Sequence, residues 1–401
     1  MAGEFVIDRA AAHRDRRLVA AIDVGSSSVR AGLFTLDGRM LARSTVPIAI
    51  HRPLPDHAEQ STAEIWAAAC TCVRDAVRAA GCDADAVAAL AFDATSSLAL
   101  GQPGGEAASV SVTGDDHWDV VMWCDHRAVA EAAAIDRTGH RALAFVGGHM
   151  SPEMVLPKLC WLKRHLPHAW SRYGLALDLT DWLSWRATGR RTASHSALTC
   201  KWGYLAHDGS GWPQDLLASI GIEELTTSMT LPPRGLPTAS AIGPLSPAAA
   251  AELGLSAACI VAVGVIDAQA GCLGPLASLP DSRIENELAV IGGTSTCHMA
   301  ISPTPHHVPG VWGPYPATLL PGRWLNEGGQ AATGASLEHI VAGHVAAAAL
   351  GDDPHAQLWQ MIEARDAATS GGWLPHMVVV PDFNGNRSPL SDPGARGLIW
   401  A

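Results

Sequence analysis

The sequence predicts an α/β fold built from two related lobes. Three observations point to it. Apolar runs of strand length alternate with stretches whose apolar residues recur at helical spacing. The chain opens on an apolar run that closes on Gly25-Ser26-Ser27-Ser28 and resumes as a second run. The same order returns far downstream, where Leu288 to Ile291 closes on Gly292-Gly293-Thr294-Ser295-Thr296 and resumes as His298 to Ile301.

Taken in order, Leu18 to Asp23 and Val29 to Thr35 read as strands around that first polar turn. Asp37-Gly38 is a hairpin dipeptide, so Met40 to Ile48 is a third strand and the opening is an antiparallel meander. Ser61-Thr62-Ala63-Glu64 is a capping box, with Ile65, Trp66, Ala69, Val73 and Val77 at helical spacing behind it. Val87 to Phe92 is a buried strand ending in Asp93-Ala94-Thr95. Asp119 to Trp123 is another, ending in Cys124-Asp125-His126-Arg127 with a helix after it. Ser151 to His165 reads as a helix that Pro157 should bend or interrupt. From Leu205 to Ser246 the chain is rich in Gly, Pro and Trp and weakly periodic. Ser246-Pro247 then starts a short helix ended by Gly254, and Cys259 to Val265 is a strand running into Asp267. The turn-like Pro280-Asp281-Ser282-Arg283 marks the lobe boundary, giving a first lobe at 18–279 and a second at 285–401, after a flexible leader at 1–17. Helices around Ala331–Ala349 and Pro354–Ala368 and a strand from His376 to Val380 complete the second lobe.

Composition narrows the function. Hydrophobic residues make up 48% of the 401 and charged residues 16%, which excludes disorder. A net charge of -12, from 39 acidic and 27 basic residues, argues against nucleic acid, whose phosphates are held by clustered Lys and Arg. No run of eighteen apolar residues is present to span a membrane, and the start lacks the apolar core of a signal peptide, so the expected location is cytoplasmic. Nine cysteines are too sparse for a disulfide scaffold. The only lysines are Lys158, Lys163 and Lys201, none in a P-loop context, and no G-x-G-x-x-G, H-E-x-x-H or C-x-x-C occurs. A lysine kept in so arginine-rich a chain offers a compact point charge that arginine does not.

Two polar hairpins carry the first chemical signal. Turns of Gly, Ser and Thr expose successive amides that phosphate oxygens can approach; Gly25, Ser26, Ser27 and Ser28 have that character, as do Gly293, Thr294 and Ser295. Ordinary hairpins would look the same. Asp23 leads the first and suits a hydrated Mg²⁺, or simply caps the turn. Asp267 interrupts an apolar stretch in Gly264-Val-Ile-Asp-Ala-Gln-Ala-Gly271, where a carboxylate is costly unless it is paired or functional; a helix N-cap is the equal alternative. Lys201 sits in Thr199-Cys-Lys-Trp-Gly203, where most lysines would simply be solvated. Glu327, in Leu325-Asn-Glu-Gly-Gly-Gln330, suits a helix dipole. Trp123, Asp125 and Arg127 read as a loop ion pair.

Together these residues resemble the FGGY carbohydrate kinases, of the actin/Hsp70-like ATPase superfamily. The resemblance rests on Ile22-Asp-Val-Gly-Ser-Ser-Ser-Val-Arg30, Trp123-x-Asp125-x-Arg127, Leu179-Thr-Asp-Trp-Leu183, Gly264-x-x-Asp267-x-x-Ala270-Gly271 and Gly292-Gly-Thr-Ser-Thr296, in the family's order. Cys200-Lys-Trp, Val308-Pro-Gly-Val-Trp-Gly-Pro-Tyr315 and Trp324-Leu-Asn-Glu-Gly-Gly-Gln330 look like the ribulokinase branch. The resemblance implies a two-lobed actin-like (ribonuclease H-like) fold, ATP and Mg²⁺ between the lobes, and a ketopentose as substrate. It places Ala94, Lys201, Asp267 and Glu327 on the sugar, with Asp267 as base, and the two hairpins on the phosphates. It also implies that the second lobe is incomplete, since family members continue past Pro381-Asp-Phe-Asn-Gly-Asn-Arg-Ser-Pro389 into a Gly-rich adenine-binding segment. A sugar-binding protein without catalysis and a chaperone-like ATPase are the rival classes. A homodimer is left open, because oligomeric state is not legible here.

Overall fold

The computed structural model describes residues 17–400 apart from 208, 210, 230, 233, 345–348, 352, 370–375 and 393. The expected leader lies outside the described residues except for Arg17. From there the chain is mixed α/β. Strands β1 (Leu18–Val24), β2 (Ser28–Thr35) and β3 (Met40–Pro47) form the predicted antiparallel meander, which turns at Asp37-Gly38 with Gly38 at φ 87°. Period-two alternation buries Leu18, Ala20, Ile22 and Val24 and leaves Asp23 on the opposite face.

The short β4 (Glu59–Gln60) leads into the helix Thr62–Ala80, which ends on Gly81 in the left-handed region at φ 63°. Ser61 Oγ accepts the Glu64 amide as expected of its cap, but the other half of the box is absent. Glu64 Oε1 instead accepts the amide of Ala49, tying the helix start to the end of the meander. β5 (Val87–Ala94) pairs in parallel with β1, and β6 (Leu98–Gly101) follows. The predicted strand from Asp119 to Trp123 shrinks to β7 (Val120–Val121), because Asp119 is taken up capping the helix through the Thr62 amide at 2.8 Å. β4, β7, β6 and β8 (Leu175–Asp178) make one small sheet. The main seven-stranded sheet is completed by β9 (Ala241–Pro244), β10 (Ile260–Ala262) and β11 (Val265–Ile266), in the order β3-β2-β1-β5-β10-β9, with β11 also on β5. The single strand expected over Cys259 to Val265 is therefore broken in two, at Gly264. A Cβ there would collide with the Thr180 hydroxyl and the Phe92 carbonyl, so only glycine lets the strand bend this close to its neighbours.

Pro157 neither bends nor breaks its helix. The helix starts late, at Val155, and runs to His165, which leaves Pro157 in the first turn where no intrahelical donor is lost. The second part of the chain carries β12 (Leu288–Gly292), β13 (Thr296–Ser302), β14 (Trp312–Pro316) and β15 (Trp324–Gln330), ordered β12-β13-β15-β14. Helices Gly334–Gly343 and Pro354–Thr369 follow, then the exposed ribbon β16 (Val378–Val380) and β17 (Leu398–Trp400). Residues 345–348 of the helix expected to reach Ala349 lie outside the described residues.

The segment at Arg127 is more than a loop ion pair. Its side chain is wholly buried, with Nη2 on Asp125 at 2.7 Å and on Glu59 at 2.8 Å, and Nη1 donates to the Val110 carbonyl. The guanidinium also lies 5.0 Å over Trp161. Arg127→Met would leave two buried carboxylates without their cation, and is expected to lower stability by about 3–5 kcal/mol, read as a lower urea midpoint. An unchanged midpoint would show that Asp125 and Glu59 find other partners.

Candidate functional site

The C-terminal ends of three neighbouring strands converge on one point. β1 and β5 run parallel with Asp23 opposite Asp93, and β11 pairs Val265 with Asp93 and Ile266 with Ala94, so the next residue, Asp267, comes off at the same level. Ligands of open α/β sheets bind where parallel strands end, and here the ends carry three carboxylates. They line a cavity of about 570 Å³ together with Lys201 and Glu327. Both hairpins reach the same cavity, through Gly25, Ser26 and Ser27 on one side and Gly293, Thr294 and Ser295 on the other. Ser28 does not line it; that residue already belongs to β2.

The hairpins are built to be rigid. Gly25 donates to the Ser28 carbonyl and Gly293 to that of Ser295, while the amides of Ser26, Ser27, Thr294 and Ser295 have no hydrogen-bond partner among the described residues. The Gln60 side chain donates to the Ser26 carbonyl at 2.9 Å, and the Trp123 indole donates to Ser26 Oγ at 2.9 Å. Lys158 in turn holds the Trp123 segment, its buried ammonium donating to the carbonyls of Met122 and Trp123 at 2.7 and 3.1 Å. Burial pushes the Lys158 amine down to about 8. Lys163 binds the Gly221 carbonyl and Glu224, so two of the three lysines are structural.

Lys201 is different. It ends the helix His195–Lys201, is 7% exposed, and has no hydrogen-bond or ion-pair partner among the described residues; its ammonium rests 4.1 Å from the Trp312 ring centroid. The same helix fixes the strand end at Asp267, because Ser196 Oγ accepts the Ile266 amide and donates to Gln269. Glu327, on β15, is 6% exposed and accepts from the Cys297 thiol at 3.3 Å.

Asp267 is set deep in the protein yet open to the cavity. Ile266 holds the N-cap position and makes no cap bond through its side chain. Asp267 is the first helical residue, with Oδ1 accepting only the adjacent Ala268 amide at 2.7 Å, so the N-cap alternative does not hold. Burial pushes its carboxyl up to about 6; Asp23 and Glu327 push the same way, while the Ala268 amide and Lys201 oppose them. Asp267 therefore feels both ends of the cavity: the hairpin end through Asp23, the other through Glu327 and Lys201.

Ala94 does not reach the cavity. The pleat that turns Asp93 toward it turns Ala94 with Phe92 and Leu90 into the core, where Ala94 is 0% exposed. Its neighbours Asp93, Thr95 and Ser96 line the cavity instead. Asp93 escaped the sequence reading although it interrupts an apolar strand as Asp267 does. Its carboxyl is pushed up by burial first, then by the negative charges of Asp23 and Asp267. Asp23 itself is paired with Arg30 at 2.6 Å. No trio of His, Cys, Asp or Glu among the described residues is close enough to ligate an ion directly. Three facing carboxylates whose one ion-pair partner among the described residues is Arg30, on Asp23, nevertheless suit a divalent ion in its water shell.

Comparison with known proteins agrees with this architecture. Residues 18–274 match the N-terminal domain, and residues 288–400 the C-terminal domain, of the FGGY family of carbohydrate kinases. The chain is 42% identical over 401 residues to the FGGY carbohydrate kinase domain-containing protein of Danio rerio, covering 94% of this chain and 72% of that one. It is 34% identical to a D-ribulokinase of Saccharomyces cerevisiae, covering 96% of this chain and 60% of that one. Among solved structures it superimposes on a xylulose kinase from Rhodospirillum rubrum with TM-score 0.77 at 23% identity, covering 96% of this chain and 73% of that one. The fold is that of sugar kinases of the actin-like ATPase type, and the protein is a phosphotransferase with an alcohol group as acceptor. The chain belongs to the FGGY family of carbohydrate kinases. The expectation of an incomplete second lobe is not borne out, since the family's C-terminal domain is matched across 288–400. No helix among the described residues is long and apolar enough to cross a membrane.

Proposed function

We propose that the protein transfers the γ-phosphoryl group of ATP to the terminal hydroxyl of a ketopentose, converting ribulose to ribulose 5-phosphate. The observation that carries this reading is the position of Asp267 between two unlike ends of one cavity. One end has amide-rich hairpins and the other has Lys201 and Glu327. The 34% identity to a D-ribulokinase supports ribulose. The lobes divide between residues 279 and 285, and the cleft between them is the site.

Phosphoryl transfer asks mainly for positioning and charge stabilisation. Lys201 donates to sugar hydroxyls and Glu327 accepts from them, which orients the terminal hydroxyl toward Asp267. Asp267 takes that hydroxyl's proton as the oxygen bonds to the γ-phosphorus and the bond to the β-phosphate oxygen breaks, leaving ADP. The hairpin amides at Ser26, Ser27, Thr294 and Ser295 face the phosphates. Asp23 and Asp93 fit a hydrated Mg²⁺, which when bound supplies positive charge to the nucleotide. Lobe closure keeps water from taking the sugar's place.

A coupled assay of ADP release across a panel of ketopentoses tests this reading. Turnover with ribulose is expected; turnover with xylulose alone would reassign the substrate, and none with any ketopentose would sink the proposal. The base also sets a pH dependence. Asp267 works ionised and its carboxyl is pushed up to about 6, so kcat/KM for the sugar should be level above that pH and fall on the acid side. The fall should approach about tenfold per pH unit. A limb near the ordinary aspartate value would separate Asp267 from the proton transfer.

A further inference from the structure

A run of alternating charges and rings crosses the cleft, and the transfer step described above uses only its last member, Lys201. Glu153 lies just ahead of the helix Val155–His165 in the first lobe, and Arg387, 234 positions later, belongs to the second. Nε and Nη2 of Arg387 both donate to Glu153 Oε1, at 3.3 and 3.1 Å. The two side chains are 6% and 7% exposed, so this is a buried pair with little solvent screening. The guanidinium lies between two indoles, 5.5 Å from the Trp123 ring centroid and 5.3 Å from that of Trp312. Trp312 also carries the Lys201 ammonium at 4.1 Å, and Lys201 has no other partner among the described residues. All five side chains line the cavity.

The order Glu153–Arg387–Trp312–Lys201 thus passes from one lobe to the other and back. A lysine whose ammonium touches only a ring takes its position from that ring, and this ring is held by an arginine anchored in the opposite lobe. We propose that Arg387 is a positioning residue for the sugar: paired with Glu153 across the cleft, it holds Trp312 where the Lys201 ammonium meets the substrate, and so ties lobe closure to sugar binding. This rests on the sugar-kinase reading of the same cavity. Arg387 needs no contact with ATP, and its one link to the hairpin end runs through the Trp123 ring, whose indole keeps its own hydrogen bond to Ser26 Oγ.

The experiment compares Arg387→Met, Arg387→Lys, Glu153→Gln and the double variant Glu153→Gln/Arg387→Met. Arg387→Met should raise KM for ribulose about thirtyfold while KM for ATP stays within about twofold, a split that general loosening of the fold would not give. Arg387→Lys should not rescue it, because an ammonium cannot bridge carboxylate and ring as a planar guanidinium does. Glu153→Gln leaves the Arg387 guanidinium unpaired and Arg387→Met leaves Glu153 only His126, 3.6 Å away, so both should melt lower. The double variant removes both charges and should regain most of that loss while keeping the high sugar KM. A double variant that regains wild-type sugar KM along with its stability would show that the pair only braces the lobes, and equal rises in both KM values would overturn the proposal as well. A readout free of substrate keeps this test separate from the choice of sugar. Acylation of Lys201 by an activated ester, followed by mass spectrometry, should quicken about tenfold in Arg387→Met and in the double variant. An unchanged rate refutes the link to Lys201. If the wild type turns over no ketopentose, the substrate reading fails and the acylation rates alone decide the role of Arg387.

Discussion

Asp267→Asn is expected to reduce kcat by about 10³-fold or more, the upper range for losing a positioned general base, while ribulose still binds with near wild-type affinity. Asparagine has the shape of aspartate and can still accept the Ala268 amide at the first helical position, so the local structure survives. What it loses is the ability to take a proton. The substitution therefore separates two meanings of one carboxylate. If Asp267 only shaped the helix start, the amide would serve and turnover would stay close to wild type. Titration calorimetry with ribulose alongside the ADP-release assay checks both halves of the expectation. Intact binding with turnover above a tenth of the wild-type rate would remove the base assignment.

The same residues show how far the amino-acid sequence could be read. β1, β2 and β3 were legible because alternation, a Gly/Ser turn and Asp37-Gly38 are all local signals, and so were both hairpins. Asp267 was legible because a carboxylate in an apolar run is conspicuous. Asp93 carries the same signature, between Phe92 and Ala94, and reading the pleat of β5 would have chosen it over Ala94: side chains alternate, so both cannot face the cavity. Helix limits were less legible. Nothing local marks Val155 as a start, so spacing alone carries that helix back to Ser151 and leaves Pro157 deep inside it. Only half of the capping box forms, since Glu64 has a competing partner in the Ala49 amide that only tertiary structure supplies. Glu153 and Arg387 were illegible for a deeper reason. Each is an ordinary charge in sequence, and their meaning arises from a contact 234 positions long and from two indoles that converge on it. Lys158 and Lys201 stood out equally as rare lysines. The fold buries one against carbonyls and leaves the other bare in the cavity.

That bare ammonium gives the second large expected effect. Lys201→Met keeps the length and the apolar contact with Trp312 but removes the charge, so the pocket wall should survive. Two charged hydrogen bonds to sugar hydroxyls would go with it, worth about 3 kcal/mol together, so kcat/KM for ribulose should fall about 100-fold. Lys201→Arg should not restore it. A guanidinium is larger and planar, and it presents a fork where the site presents a point charge over a ring. The substitution should also leave a mark on the base. The Lys201 charge helps hold the Asp267 carboxyl down against burial and against Asp23 and Glu327, so without it that carboxyl must rise further above about 6. The acid limb of kcat/KM should accordingly move to higher pH, and Lys201→Met should look relatively worse at pH 6 than at pH 8. A solvated lysine remote from the reaction would change neither quantity. A loss of activity with an unshifted acid limb would place Lys201 on the sugar but out of electrical reach of Asp267, and would overturn the coupling between them.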